Sequence, residues 1–277
     1  MTALAAGFLG LMTGLHTATW GAYKDSPFEG FKWTSFLRSV VLGSGIAVGI
    51  ALTTTWEDDL HPLVLVGLFY TGERLSTEWW KTIVRNDDQT AYTIPMRLGY
   101  RGLPVDNRLI RYTVGLSIIV GLVVACVGAA AMQQALPTEP GWATVLIGGV
   151  GGWLTAVGGA WKDAPIEGFS PWKFMRSPVI ASAWALPLSF LVVDDWAILA
   201  LCAGGFSVAS IETYKTFFTG GRPPGKFATK TATHRLPRLR PLLAVQHTGC
   251  WVALAVVVGS TALPASASPS IFSMNLF

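Results

Sequence analysis

The stretch YKDSPFEGF, Tyr23–Phe31, returns 138 residues later as WKDAPIEGF, Trp161–Phe169. Seven of the nine positions are identical or exchange one aromatic ring for another. Charged residues kept twice stand out here, because the 277-residue chain is 51% hydrophobic and only 13% charged, about half the charge of an ordinary soluble domain. The equivalence extends further. Phe36, Arg38 and Ser39 match Phe174, Arg176 and Ser177 at the same offset, and Asp58-Asp59 matches Asp194-Asp195 at 136. Ser76, Glu78, Trp80, Lys81 and Thr82 match Ser210, Glu212, Tyr214, Lys215 and Thr216 at 134. The drift falls between apolar runs, where a duplicated unit tolerates changes of loop length. Two units are therefore expected, residues 1–137 and 138–277.

Each unit carries four apolar runs. A membrane span needs about 20 mostly apolar residues to cross about 30 Å of hydrocarbon, and runs of that kind lie near 3–23, 38–55, 60–81, 111–133, 142–161, 176–193, 195–216 and 241–263. Helices are expected because an open strand leaves backbone groups unpaired in lipid. The first run has no basic flank and no A-x-A cleavage site, so it reads as a retained helix. The sequence thus predicts an all-α integral membrane protein with eight transmembrane helices. Four spans return the chain to its starting side, so the repeats are parallel, about a pseudo-two-fold axis along the membrane normal.

Charge sets the orientation. The segments 24–38, 81–111, 162–176 and 215–240 hold 19 of the 20 Lys and Arg residues. The opposite side holds Glu57, Asp58, Asp59, Glu139, Asp194 and Asp195 and no basic residue. The positive-inside rule predicts a multi-pass protein with those four loops cytoplasmic and both termini extracytoplasmic. The net charge of +4 follows from the loops, which points to the lipid bilayer and anionic lipid headgroups as partners and excludes nucleic acid. A homo-oligomer or a partner within a membrane complex stays open. Loops two and four are long, polar and rich in Pro and Gly, fit to lie along the headgroups or fold over a cytoplasmic opening. Cys126, Cys202 and Cys250 lie in apolar runs without metal-like spacing and read as buried apolar residues.

KDxPxEGF has two readings. In one it is a joint: Pro27 and Pro165 open a short helical turn, Asp25 or Ser26 caps it, Glu29 closes a capping box, and Gly30 and Gly168 end it. In the other, Lys24, Asp25, Glu29 and Arg38 meet Lys162, Asp163, Glu167 and Arg176 across the axis, forming a mixed ring for an anionic headgroup or phosphate. No cofactor is certain; Mg²⁺ is possible on Asp25, Glu29, Asp163 and Glu167. In the second motif, Glu78 and Lys81, like Glu212 and Lys215, lie three apart on one helix face and can neutralise each other. Arg74 breaks the symmetry, with Val208 as its counterpart, and Glu73 is answered by Ser207. A charge within an apolar helix is a functional candidate by default, and Arg74 can reach Glu78 at i+4. His16 and His247 read as satisfied core residues.

The function expected first is a transporter or lipid translocator with a cytoplasm-facing pseudo-two-fold site for an anionic or phosphorylated amphipathic substrate. The candidate binding residues are Lys24, Asp25, Glu29, Arg38, Arg74, Glu78, Lys81, Lys162, Asp163, Glu167, Arg176, Glu212 and Lys215. The alternatives are a Mg²⁺-dependent membrane transferase acting on a phosphorylated or lipid-linked substrate, and a non-catalytic membrane subunit or scaffold. The sequence identifies no catalytic residue.

Overall fold

The computed structural model describes residues 3–54, 60–135, 141–191, 195–219, 223–234 and 239–260. Glu57, Asp58, Asp59, Glu139 and Asp194 lie outside the described residues, as do Arg222, Arg235, Arg238 and positions 261–277.

Among the described residues are eight long helices: α1 (Ala3–Glu29), α2 (Trp33–Thr53), α3 (Pro62–Trp79), α4 (Arg108–Ala135), α5 (Trp142–Glu167), α6 (Pro171–Ser189), α7 (Trp196–Phe217) and α8 (Leu239–Ser260). Of these, α2, α4, α5 and α7 are long and apolar enough to cross a membrane. On α4 the apolar side chains Ile118, Val123, Val124 and Val127 are exposed, the surface expected of a helix whose solvent is lipid. After α3 the chain makes a π turn, Trp80–Val84, and a 3₁₀ turn, Gln89–Ala91. A two-residue hairpin follows, β1 (Gly99–Tyr100) against β2 (Leu103–Pro104). Its turn places Arg101 and Gly102 at φ 52° and 82°, the left-handed pair that two-residue hairpins favour.

Helices α1 and α5 run past the ends of the apolar runs that mark them, 3–23 and 142–161, and this corrects the joint reading. Pro27 and Pro165 lie inside α1 and α5, near their C-terminal ends, and open no new turn. Each proline removes only one N–H from a helix already nucleated upstream. Ser26 accordingly hydrogen-bonds back to the Ala22 carbonyl, and Asp25 and Glu29 are engaged by lysines instead of capping amides. The glycines do end the helices: Gly30 and Gly168 sit at φ 73° and 82°, a conformation other residues adopt at a cost.

The core is centred on α3 and α7, which cross at close range. A Cβ on Gly67 would stand 2.9 Å from Cys202, and the Cys202 thiol donates to the Val64 carbonyl at 3.1 Å. Thr71 donates to the Leu201 carbonyl at 2.5 Å. Phe69, Tyr70, Leu199 and Phe206 fill the interface, and Trp184 of α6 stacks on Phe206 at 4.5 Å. The outer pairs use glycine in the same manner. Gly10 lies against Gly43 and Ala47, and Gly14 against Ser39, between α1 and α2. Gly148 lies against Ala185, and Gly152 against Ser177 and Ala181, between α5 and α6. Gly148, Gly152, Ser177 and Ala185 each stand 138 positions after Gly10, Gly14, Ser39 and Ala47.

Gly151 faces the backbone of α7, where a Cβ would fall inside van der Waals distance of the Ala200 carbonyl oxygen. Gly151→Ala is expected to lower stability by about 1–3 kcal/mol through overpacking. Gly45→Ala, with nothing within 4 Å of its Cβ, is expected to be neutral or stabilising. Unfolding of the two purified variants in detergent checks the contrast.

Candidate functional site

At the end of the bundle where α1 terminates, the helices part around a polar cavity of about 460 Å³. Eight Lys or Arg and six Asp or Glu side chains line it. Its walls are the ends of α1, α2 and α3, with Lys162 and Asp163 from α5 and Glu212 from α7. Thr17, Trp20 and Thr77 line it as well.

Most of the charges are matched, in four separate clusters. Glu78 receives both Arg74 at i+4 and Lys81, the latter at 3.1 Å. Glu212 likewise receives Lys24, reaching across from α1, and Lys215 at 3.1 Å. Lys226 bonds Asp25 at 2.7 Å and stands 3.8 Å from Glu29, which Lys32 also reaches at 2.6 Å. Arg85 pairs with Asp87 at 3.0 Å. Tyr92, its phenol pushed up to about 12 by burial, remains the donor to Asp87 at 3.0 Å.

Two cations fall outside this matching. Arg38 makes no hydrogen bond or ion pair among the described residues, and its Nε is buried without a partner. Lys162 contacts only the Met96 sulfur, at 3.3 Å, and no carboxylate within ion-pair distance among those residues. Both face the cavity.

Two long loops roof the cavity, and each crosses to the other half of the chain. The loop after α3 is held on α5, where Trp161 Nε1 donates to the Gly99 carbonyl at 3.0 Å. The loop after α7 is held on α1. There His234 donates its backbone N–H to the Pro27 carbonyl at 3.0 Å, and Phe227 stacks on Phe28 at 4.9 Å. The loops also bond each other, through the Thr93 N–H to the Lys226 carbonyl at 2.7 Å and between the Thr93 and Thr229 hydroxyls at 2.8 Å.

Ten of the sequence candidates therefore share one cavity: Lys24, Asp25, Glu29, Arg38, Arg74, Glu78, Lys81, Lys162, Asp163 and Glu212. The other three do not line it. Glu167 pairs with Lys173 at 2.5 Å. Arg176 and Lys215 line a separate pocket of about 110 Å³ with Lys173 and Asp163. Asp163 lines both spaces and is bonded by Lys173 at 3.2 Å. The expected ring is thus lopsided: the first half's Asp25 and Glu29 line the cavity, bridged by Lys226, while the second half's Asp163 and Glu167 are folded onto Lys173 and only Asp163 reaches the cavity. The four carboxylates considered for Mg²⁺ fall into two pairs, Asp25 with Glu29 and Asp163 with Glu167, each bridged by a lysine. No group of three or more His, Cys, Asp or Glu is placed to hold a metal among the described residues.

Sequence reasoning missed Lys32, Arg85, Asp87, Tyr92 and Lys226 as cavity residues. The basic count of the loops was the available signal, but a count does not say which lysine folds inward. It also treated His16 and His247 as separate, whereas their Nε2 atoms lie 3.1 Å apart in the core.

Comparison with known proteins returns no match among family models, curated proteins or solved structures.

The Lys24–Glu212 pair joins α1 to α7 with both side chains largely buried. Removing one partner strands a charge, so Lys24→Met and Glu212→Gln are each expected to cost on the order of 1–3 kcal/mol, and the double variant less than the sum. Denaturant unfolding of the cycle measures the coupling; strict additivity would contradict the contact.

Proposed function

We propose that this chain is a multi-pass membrane protein that binds an anionic amphipathic substrate by its headgroup and moves it across the bilayer. In this reading all eight helices span, as two parallel four-helix units, with the four basic loops and the cavity on the cytoplasmic side. The single observation that carries the reading is the surplus of cavity cations. Among the described residues the six other cavity cations pair with five of its carboxylates and Lys173, from outside the cavity, takes the sixth, Asp163, while Arg38 and Lys162 face the same space in no ion pair. A guanidinium and an ammonium left in a partly desolvated cleft favour an incoming anion, most of all a phosphate-type group that accepts several charge-assisted hydrogen bonds.

The matched glycine contacts at offset 138 support the two-unit reading. The roofing loops support a gated opening, since the ligand must displace or slip under Lys226. An enzyme using Mg²⁺ on the motif carboxylates is less well supported, because those groups present lysine-neutralised oxygens to the cavity while the free groups are cations. A scaffold leaves the two free cations without a role.

A dihexanoyl phosphatidylglycerol probe is expected to raise the melting temperature of the detergent-purified protein by mass action, and dihexanoyl phosphatidylcholine is not. Arg38→Gln and Lys162→Gln are each expected to weaken binding about tenfold or more, as loss of a charge-assisted hydrogen bond implies. Reconstituted vesicles carrying a fluorescent phosphatidylglycerol should show protein-dependent transfer between leaflets that Arg38→Gln suppresses. An equal response to the free glycerol phosphodiester headgroup would instead indicate a soluble anion as substrate. Binding without leaflet transfer would favour the enzyme.

A further inference from the structure

Behind the cavity, Glu73 of α3 is fully buried. Its Oε1 accepts from the Thr77 hydroxyl at 2.8 Å, and Thr77 lines the cavity. Its Oε2 is buried without a hydrogen-bond partner, and no ion pair reaches the group among the described residues. A carboxylate in that position carries a charge with one lone oxygen, whereas a carboxylic acid there is neutral.

The groups around it do not supply a cation from the core side. One turn back on α3, Tyr70 shares a hydrogen bond with His16 Nδ1 of α1. The other ring nitrogen of His16 meets His247 Nε2 of α8. Neither imidazole meets a carboxylate among the described residues: their partners are each other, the Tyr70 phenol and the Thr213 hydroxyl, the last at 3.0 Å. Cys250 of α8 is the remaining titratable group near Tyr70. On α7 the position equivalent to Glu73 is Ser207, which donates to the Ser177 carbonyl at 3.0 Å. The charges that act on Glu73 come from the cavity side, from Arg38 of α2 and Arg74 of α3. Arg74 is committed to Glu78, which leaves Arg38.

We infer that Glu73 is a proton-binding site coupled to the cavity, so that an anion and a proton are taken up together. This rests on the anion-binding reading above. In the empty cavity the Arg38 charge serves Glu73. An anion that binds Arg38 withdraws that charge, and the Glu73 carboxylate takes one proton at Oε2 to become a neutral acid. The ligand gains a cation, the core keeps no uncompensated charge, and the pair of events is reciprocal. The asymmetry fits: the second half, with Ser207 and Val208 where the first has Glu73 and Arg74, lacks the device.

Titration calorimetry of the full chain in detergent with dihexanoyl phosphatidylglycerol, in two buffers of different ionisation enthalpy, counts the protons taken up on binding. The probe is a phosphodiester and keeps one charge throughout. The expected result is uptake of about one proton per probe, with Kd rising by up to about tenfold per pH unit as pH increases. Glu73→Gln should bind with a Kd that does not follow pH and with no uptake. Uptake that persists in Glu73→Gln, or wild-type binding without uptake, overturns the assignment. Absence of probe binding by either protein refutes the anion reading, not this one, and a ligand-free measurement then decides. Infrared spectroscopy of the wild type should show a protonated-carboxyl carbonyl stretch on acidification that is absent in Glu73→Gln and displaced in Glu73→Asp. A wild-type spectrum without such a band overturns the site.

Discussion

A charge withdrawn from water into a helical bundle costs several kcal/mol unless another charge stands against it, and the polar end of this molecule is organised by that constraint. Glu78 and Glu212 hold equivalent places on the two central helices, and each takes two cations. The partners differ in origin. Glu78 is served from its own helix and the turn that follows, whereas Glu212 draws Lys24 from α1. The second arrangement fastens the end of the first helix to the centre of the bundle. From there the chain has to end α1 at Gly30, turn, and start α2 with Arg38 facing inward.

Much of this was readable because helical spacing is short-range. Arg74, Glu78 and Lys81 lie at i, i+4 and i+7, and such neighbours meet on a helix wherever the helix goes. Gly148 and Gly152 of α5 stand four apart, a spacing that permits close helix packing. What spacing cannot supply is partnership across the fold. Lys24 and Glu212 are 188 positions apart, and Lys226 and Asp25 are 201 apart. The proline in KDxP misled for a local reason, since the residue that starts helices also survives near the end of one already formed. The lopsidedness of the cavity was hidden too, because Lys173 has no positional equivalent in the first motif. There the corresponding position is Ser35.

The two halves of the chain match each other unevenly. The backbone contacts of the paired glycines recur nearly unchanged and the charged positions of both motifs are kept, while polar positions behind the cavity diverge: Glu73, Arg74, His16 and Tyr70 answer to Ser207, Val208, Leu154 and Gly204. Small residues at helix crossings tolerate little change. Both halves put charges into the cavity and each sends a loop over it, but the Glu73 and Arg74 positions carry charge in the first half and not in the second.

The exchanged loops impose an order on assembly. Asp25 and Glu29 belong to α1, yet Lys226, which bridges them, arrives some two hundred positions later. Until that loop emerges, Glu29 has only Lys32 and Asp25 has no lysine. The cover of the cavity is therefore complete only once the loop after α7 has been made.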